Sequence, residues 1–356
     1  MVFIDYRKLI SFSNGSFVVT MPKSWVNKHN LKKGDTISVE EGSGELVFYA
    51  GEKELKSEEK SISINAENKK LSMLKAEIVS AYLNNYNTIE IFSKTLENDA
   101  PVIKGILRNL SGMEIIEQTG SRIVAKDLID ISSILIQSII RRMDVITRAM
   151  IDDTMLCMGG KCSPKSISHR DTDVNRLYYL GFRAIKNAIE NPMVTNKLKT
   201  TTWRLSSDRE ILYKIEEIAD VQKRISRVIA EVEHNHKNEL EEFRKALEEL
   251  KELNDGIKQR YYNAMKAYYT NDKKLAYEIE TTNKDFIEKC DNFLKKITKR
   301  LCSYCLKTKE SNNTLSDMSL KEMLVDMVIS VSKIIEYKKA TVTFIRGIVR
   351  TILDMD

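Results

Sequence analysis

The chain has 356 residues, enough for two or three domains with cores of their own, and its 4 prolines and 13 glycines favour long helices over a loop-rich or all-β fold. Its 57 basic and 51 acidic residues leave a net charge of +6, so any affinity for nucleic acid has to come from a local basic patch. No stretch is apolar enough to span a bilayer and no signal-peptide pattern is present, which predicts a cytoplasmic protein without membrane insertion.

The first predicted unit is short and contains both strands and a helix. Phe17, Val18 and Val19 predict a strand, and Pro22 opens a helical turn because its ring fixes φ and it has no N–H to lose. Gly34 and Asp35 then predict a turn into a second strand over 36–39. The order is strand, short helix, turn and strand.

The sequence GSFVVTMPKSWV at 15–26, followed by LKKGD at 31–35, resembles the SpoVT-AbrB (MazE-like) swapped-hairpin DNA-binding domain in order and spacing. The resemblance implies a β domain over residues 1–50 that binds DNA and dimerises. A unit of about fifty residues buries too little surface to fold alone, so we expect it to complete its core with a second copy. The expected assembly is a homodimer with two identical basic faces.

Six basic residues lie on or next to the strands and short helix of this unit, whereas Asp5 and Asp35 are the only acids up to position 35. We predict that the basic side chains contact DNA phosphates. These candidate DNA-binding residues are Arg7, Lys8, Lys23, Lys28, Lys32 and Lys33. The alternative is a solvated basic surface on a module that serves only oligomerisation.

A small α/β unit is predicted over residues 60–127. Alternating apolar residues predict strands, and apolar residues at helical spacing predict helices between them. The predicted strands are 61–64, 88–92, 113–117 and 122–125, and the predicted helices are 71–84 and 100–110. No catalytic grouping is found here, and no role is assigned to this unit.

From about residue 127 the sequence is almost wholly helical, which makes the fold class mainly α. Two sets of three helices predict two bundles in tandem, over 128–254 and 255–356. The predicted helices are 131–150, 169–191, 208–253, 257–270, 272–306 and 319–353.

Three segments of the helical part resemble the PhoU phosphate uptake regulators, specifically archaeal-type members that carry an AbrB-like domain in front. They read RDTDVNRLYYL at 170–180, IEEIAD at 215–220 and AYYTNDKKLA at 267–276. The resemblance implies bundles that hold metal ions on an acidic motif, in which an acid is followed four residues later by Asp. Glu216 and Asp220 fit this motif.

The spacing of Glu216 and Asp220 places both carboxylates on one helix face, where they can bind one hard cation with ligands from a neighbouring helix. Asp171 and Asn175 have the same spacing on the preceding helix, although the neutral Asn lowers the charge of the site. We therefore predict a divalent or iron-type metal ion at the first bundle. The alternative is an exposed acidic helix face. In the second bundle only Glu336 remains of the pair, so no cluster is expected there.

No Gly-rich phosphate loop and no Ser/His/Asp or Cys/His grouping is found, so we expect no enzyme. The sequence predicts a dimeric DNA-binding regulator of phosphate uptake and cellular phosphate homeostasis, with the bundles as a sensing or partner-docking module. The alternative is an adaptor that does not bind DNA, docks on a phosphate transporter ATPase or a phosphate-sensing histidine kinase, and uses its first unit only to dimerise. The expected partners are DNA, a second copy and one of these two proteins.

Overall fold

The computed structural model describes residues 5–13, 15–41, 46–51, 59–94, 96–159, 163–235, 241–308 and 316–355. The chain forms two compact units, Met1–Glu58 and Glu59–Asp356. The finer limits expected from the sequence, at 50, 60, 127 and 254, stay predictions.

In its described residues, the first unit consists of two antiparallel hairpins and one short helix without a buried core. Its elements are β1 (Ile10–Ser13), β2 (Ser16–Val18), α1 (Lys23–Lys28), β3 (Ile37–Glu41) and β4 (Leu46–Ala50). No side chain described in residues 5–51 is buried. The exposed apolar side chains are Tyr6, Leu9, Ile10, Phe12, Phe17, Val18, Val19, Val39 and Leu46. So much exposed apolar surface is unusual for a unit that is complete by itself.

The second unit begins with a four-stranded mixed sheet in the order β5-β6-β8-β7, and its strands lie where the alternating residues predict them. Its elements are β5 (Ser61–Asn65), α2 (Leu71–Leu83), β6 (Thr88–Phe92), α3 (Leu96–Arg108), β7 (Met113–Gln118) and β8 (Arg122–Asp127). Ile89 and Ile91 on β6 are fully buried in its core. Helix α3 begins earlier than predicted, at Leu96, and has Glu97 and Asp99 in its first turn. Acidic side chains stabilise this end of a helix because the helix dipole is positive there.

Eight helices of the described residues follow the sheet. They are α4 (Ile136–Thr154), α5 (Pro164–Glu190), α6 (Pro192–Lys197), α7 (Thr202–Asn235), α8 (Glu241–Thr270), α9 (Lys273–Thr281), α10 (Asn283–Thr308) and α11 (Ser316–Leu353). The predicted break near 253–257 is wrong, because α8 continues through it with Leu250 and Ile257 both buried. The predicted helix 272–306 is also wrong as one element, since α9 ends at Thr281 and α10 begins at Asn283.

The helices form bundles, which confirms the mainly α fold class. Helices α4, α5 and α7 pack together as the first bundle, and α11 packs against α8 and α10 in the second. The two bundles share one hydrophobic core because α7 also lies along α11. No helix among the described residues is long and apolar enough to cross a membrane.

A buried ion pair fixes the sheet to the first bundle. Arg183 on α5 and Asp127 at the end of β8 are each 1% exposed at the side chain, and Arg183 Nη2 lies 2.6 Å from Asp127 Oδ2. Arg183 Nε donates to Asn85 Oδ1 at 3.0 Å, and the guanidinium lies 4.6 Å from the centre of the Tyr82 ring. This cation therefore contacts three residues of the α/β part at once.

Candidate functional site

The first candidate site is the basic surface of the first unit, and helix α1 positions part of it. The Pro22 carbonyl accepts hydrogen bonds from the backbone N–H groups of Trp25 and Val26, at 3.0 and 3.1 Å. These bonds start the helix at Lys23, as the proline predicts. The rings of Trp25 and His29 lie 4.9 Å apart one turn later. Lys23 and Lys28 are thus held at opposite ends of one short helix.

A tight turn positions two further lysines. Gly34 has a φ of +99°, a conformation that L side chains rarely adopt. The carboxylate of Asp35 accepts a hydrogen bond from the backbone N–H of Lys32 at 2.7 Å, and the Asp35 N–H donates to the Lys32 carbonyl at 3.1 Å. The turn predicted at Gly34-Asp35 is confirmed, and it exposes the side chains of Lys32 and Lys33.

All six candidate DNA-binding residues are exposed. Arg7 pairs with Asp5, and in the part of the chain that the structure describes the five lysines have no ionic partner. Unpaired ammonium groups are free to neutralise phosphates. Contact between these residues and DNA stays a prediction.

The second candidate site lies between α5 and α7, where the four predicted metal ligands come together around a lysine. Lys223 Nζ lies 2.7 Å from Asp171 Oδ2 and 2.5 Å from Asp220 Oδ1. Arg224 Nη2 lies 2.5 Å from the other Asp220 oxygen. The Asn175 amide donates to Asp171 Oδ2 at 3.2 Å. The carboxylates of the two helices are therefore joined by an ammonium group.

The charges of this cluster shift its pKa values in opposite directions. Burial, and then the negative charges of Glu217, Asp220 and Asp171, raise the pKa of Glu216 to about 7. Burial opposes ionisation of Asp220 as well, but its bonds to Lys223 and Arg224 hold its pKa below the usual value. Near neutral pH Glu216 is thus partly protonated, whereas Asp220 is ionised.

As arranged, these residues do not fit a metal ion. Lys223 lies between the carboxylates that a cation would bridge, and the described residues contain no group of three or more His, Cys, Asp or Glu side chains placed to hold a metal. Metal binding at Glu216, Asp220, Asp171 and Asn175 stays a prediction that requires Lys223 to move.

Sequence reasoning missed Lys223, although its spacing was visible. It follows Asp220 by three residues, which places the two on one helix face. In the second bundle it missed Lys338, which is 1% exposed and donates to the Asn254 side-chain oxygen. Helical spacing was the available signal, because Lys338 lies four residues from both Ile334 and Val342, which are fully buried.

A comparison with known protein families gives a match within the first unit. Residues 10–49 match the family described as "Antidote-toxin recognition MazE, bacterial antitoxin". The chain is also similar to the crystal structure of PhoU from Pseudomonas aeruginosa, with 13% identity and a TM-score of 0.42 over 60% of this chain and 95% of that one. No curated protein matches the chain. The segment 10–49, with its exposed lysines, is therefore a MazE-like domain, as its sequence predicts.

Proposed function

We propose that this protein is a dimeric DNA-binding regulator of phosphate uptake and phosphate homeostasis. The observation that carries the proposal is the set of exposed lysines on the helix and turn of the MazE-like segment, which have no ionic partner among the described residues. The phosphate part of the proposal rests on the sequence resemblance of 170–180, 215–220 and 267–276 to PhoU regulators.

Dimerisation is supported by the apolar surface of the first unit. Phe12 and Phe17, on paired strands, are 77% and 64% exposed. Burying apolar surface contributes about 25 cal/mol per Å², so pairing with a second copy provides the core that this unit lacks. A two-fold pair presents two copies of Lys23, Lys32 and Lys33 to a duplex with related half-sites.

The experiment measures binding of the full-length protein to a fluorescent duplex from its own upstream region by anisotropy. Affinity should fall steeply with added salt, because each lysine on a phosphate releases a counterion. Arg7→Ala with Lys23→Ala should weaken binding and flatten the salt dependence. The matched control is Lys273→Ala with Lys274→Ala, two exposed lysines at the start of α9.

The alternative is an adaptor whose first unit only dimerises, and its transporter ATPase or kinase partner would dock on the bundles. It predicts the same oligomeric state by analytical ultracentrifugation but no salt-dependent binding to DNA. Equal affinity of the Arg7/Lys23 variant and the wild type for the duplex would reject the DNA-binding proposal in favour of this one.

A further inference from the structure

An open cavity of about 640 Å³ lies between the α/β part and the first bundle, lined by residues of α2, α3 and α5 and by Lys223 of α7. Its size lies in the range of small-molecule sites, which is about 300–1,000 Å³. All four helices belong to the same compact unit. None of the residues that line the cavity belongs to the segment 5–35.

Its polar lining is cationic. Lys75, Arg176 and Lys223 line it, against the single acid Asp171, whose carboxylate Lys223 already neutralises. Arg176 is half-buried in this lining, and a guanidinium is well suited to bind phosphate oxygens in pairs.

The first turn of α2 adds backbone donors. Leu71 and Ser72 line the cavity at the beginning of this 13-residue helix, and the preceding Lys70 provides no side-chain cap. The N–H groups of Met73 and Leu74 donate to the Lys70 carbonyl, whereas those of Leu71 and Ser72 have no partner among the described residues. Together with the helix dipole, these two N–H groups favour an anion at this end.

The rest of the lining is partly apolar and includes one aromatic ring. Val79, Val102 and Ile106 line the cavity together with half-buried Tyr179. A bare inorganic phosphate would leave these apolar side chains and most of the volume unused. A phosphorylated ligand with a planar apolar part would use both the cationic and the apolar residues, because aromatic faces stack well on such groups.

We propose that this cavity binds a nucleoside phosphate. Arg176, Lys75 and the first turn of α2 hold the phosphates, and the base packs against Tyr179 and the valines. The ligand then touches the α/β part and the first bundle at once, beside the Asp171–Lys223 pair. The site does not depend on the proposed DNA binding, since it is assayed without DNA.

The test measures binding of ADP, ATP, adenosine and inorganic phosphate to the full-length protein by isothermal titration calorimetry. We expect ADP or ATP to bind at least tenfold more tightly than adenosine or inorganic phosphate. Arg176→Met should weaken nucleotide binding at least tenfold, whereas Arg142→Met, which removes an exposed arginine of α4 outside the cavity, should leave it unchanged.

A second variant fills the cavity without touching its charges. Gly105 lines it on α3, and a Cβ added there meets no atom within 4 Å. Gly105→Leu should therefore fold normally, as checked by thermal unfolding, and abolish nucleotide binding. Nucleotides that bind no more tightly than inorganic phosphate, or that bind Gly105→Leu and Arg176→Met as they bind the wild type, would overturn the proposal.

Discussion

The buried cations of the two helical bundles have different partners. In the first bundle, Arg183 pairs with Asp127 and Lys223 lies between Asp171 and Asp220. In the second bundle, Lys338 is just as buried as Arg183 but donates to the neutral amide oxygen of Asn254. Within the described residues no carboxylate pairs with Lys338.

The hydrogen-bonding partner determines whether burial lowers the pKa of a lysine. Burial alone would lower the pKa of Lys223, but the bonds and charges of Asp171 and Asp220 raise it. Burial lowers the pKa of Lys338 to about 8, because an amide cannot compensate for the lost hydration of an ammonium group. The first bundle therefore keeps its cations charged, whereas the second favours loss of the proton.

The largest expected effect comes from removing a cation whose carboxylate stays buried. Arg183→Met leaves Asp127 with an unpaired charge in a site that is 1% exposed. We expect the free energy of unfolding to fall by about 3–5 kcal/mol at pH 7, measured by urea denaturation.

Arg183→Met combined with Asp127→Asn provides the control. Asn keeps an oxygen to accept the hydrogen bond that the Ile129 N–H donates to Asp127, yet it carries no charge. The double variant should recover much of the loss. Equal stability of the single variant and the wild type would mean that the pair does not hold the sheet to the bundle.

The next effect concerns Lys338 and has a defined pH window. Its pKa is about 8 in the folded chain, below the ordinary 10.5. Between these values the unfolded chain binds more protons, so stability should rise as pH increases from 8 to 10.5, by about 3 kcal/mol. Below pH 8 the contribution is constant, because both states are protonated.

Lys338→Met should remove this rise. The measurement is the difference in free energy of unfolding between wild type and variant across the window, since the tyrosines titrate in both proteins. Lys333→Met, at an exposed lysine of the same helix, is the matched control and should keep the rise. If the difference in free energy of unfolding between wild type and Lys338→Met stayed constant across the window, burial would not lower the pKa of Lys338.

The sequence was sufficient where the signal is local. The alternation in 61–64 and 88–92 predicted β5 and β6, and Pro22 and Gly34 predicted their turns, because backbone geometry alone restricts these positions. The end of α7 at Asn235 was missed because residues 231–242 contain no Pro or Gly to mark it.

For the candidate site, the sequence brought the right acids together but omitted the cation between them. The i,i+4 spacing placed Glu216 and Asp220 on one face, and the preceding helix supplied Asp171 as expected. Whether a lysine reaches a neighbouring helix depends on the packing distance between α5 and α7, which spacing does not encode. The same holds for Arg176, whose role depends on the cavity beneath α2 and α3.

Lys223→Ala tests whether the first bundle already contains its cation. Without the ammonium group, Asp171 loses its cationic partner and Asp220 keeps only Arg224, so the two carboxylates should attract a divalent ion. We expect Mn²⁺ to bind the variant at least tenfold more tightly than the wild type, which is about 1.4 kcal/mol, by calorimetry.

The control for this effect removes the ligands themselves. Glu216→Ala with Asp220→Ala should show no gain when Lys223→Ala is added, and elemental analysis of this variant against the wild type tests the predicted metal site directly. Tight Mn²⁺ binding by the wild type that Lys223→Ala does not improve would mean that the lysine does not compete with the ion.

The smallest effect is expected one residue beyond Lys338. Lys339 has two carboxylate partners, Asp291 at 3.0 Å and Glu336 at 3.1 Å, but its side chain is 25% exposed. Water solvates an exposed pair almost as well as the pair solvates itself, so Lys339→Ala should lower the free energy of unfolding by less than about 1 kcal/mol. The loss should shrink further at high salt, measured by urea denaturation at two ionic strengths. A larger loss that does not depend on salt would show that carboxylate partners stabilise a cation whether or not it is buried. The contrast drawn between the buried cations of the two bundles would then be wrong.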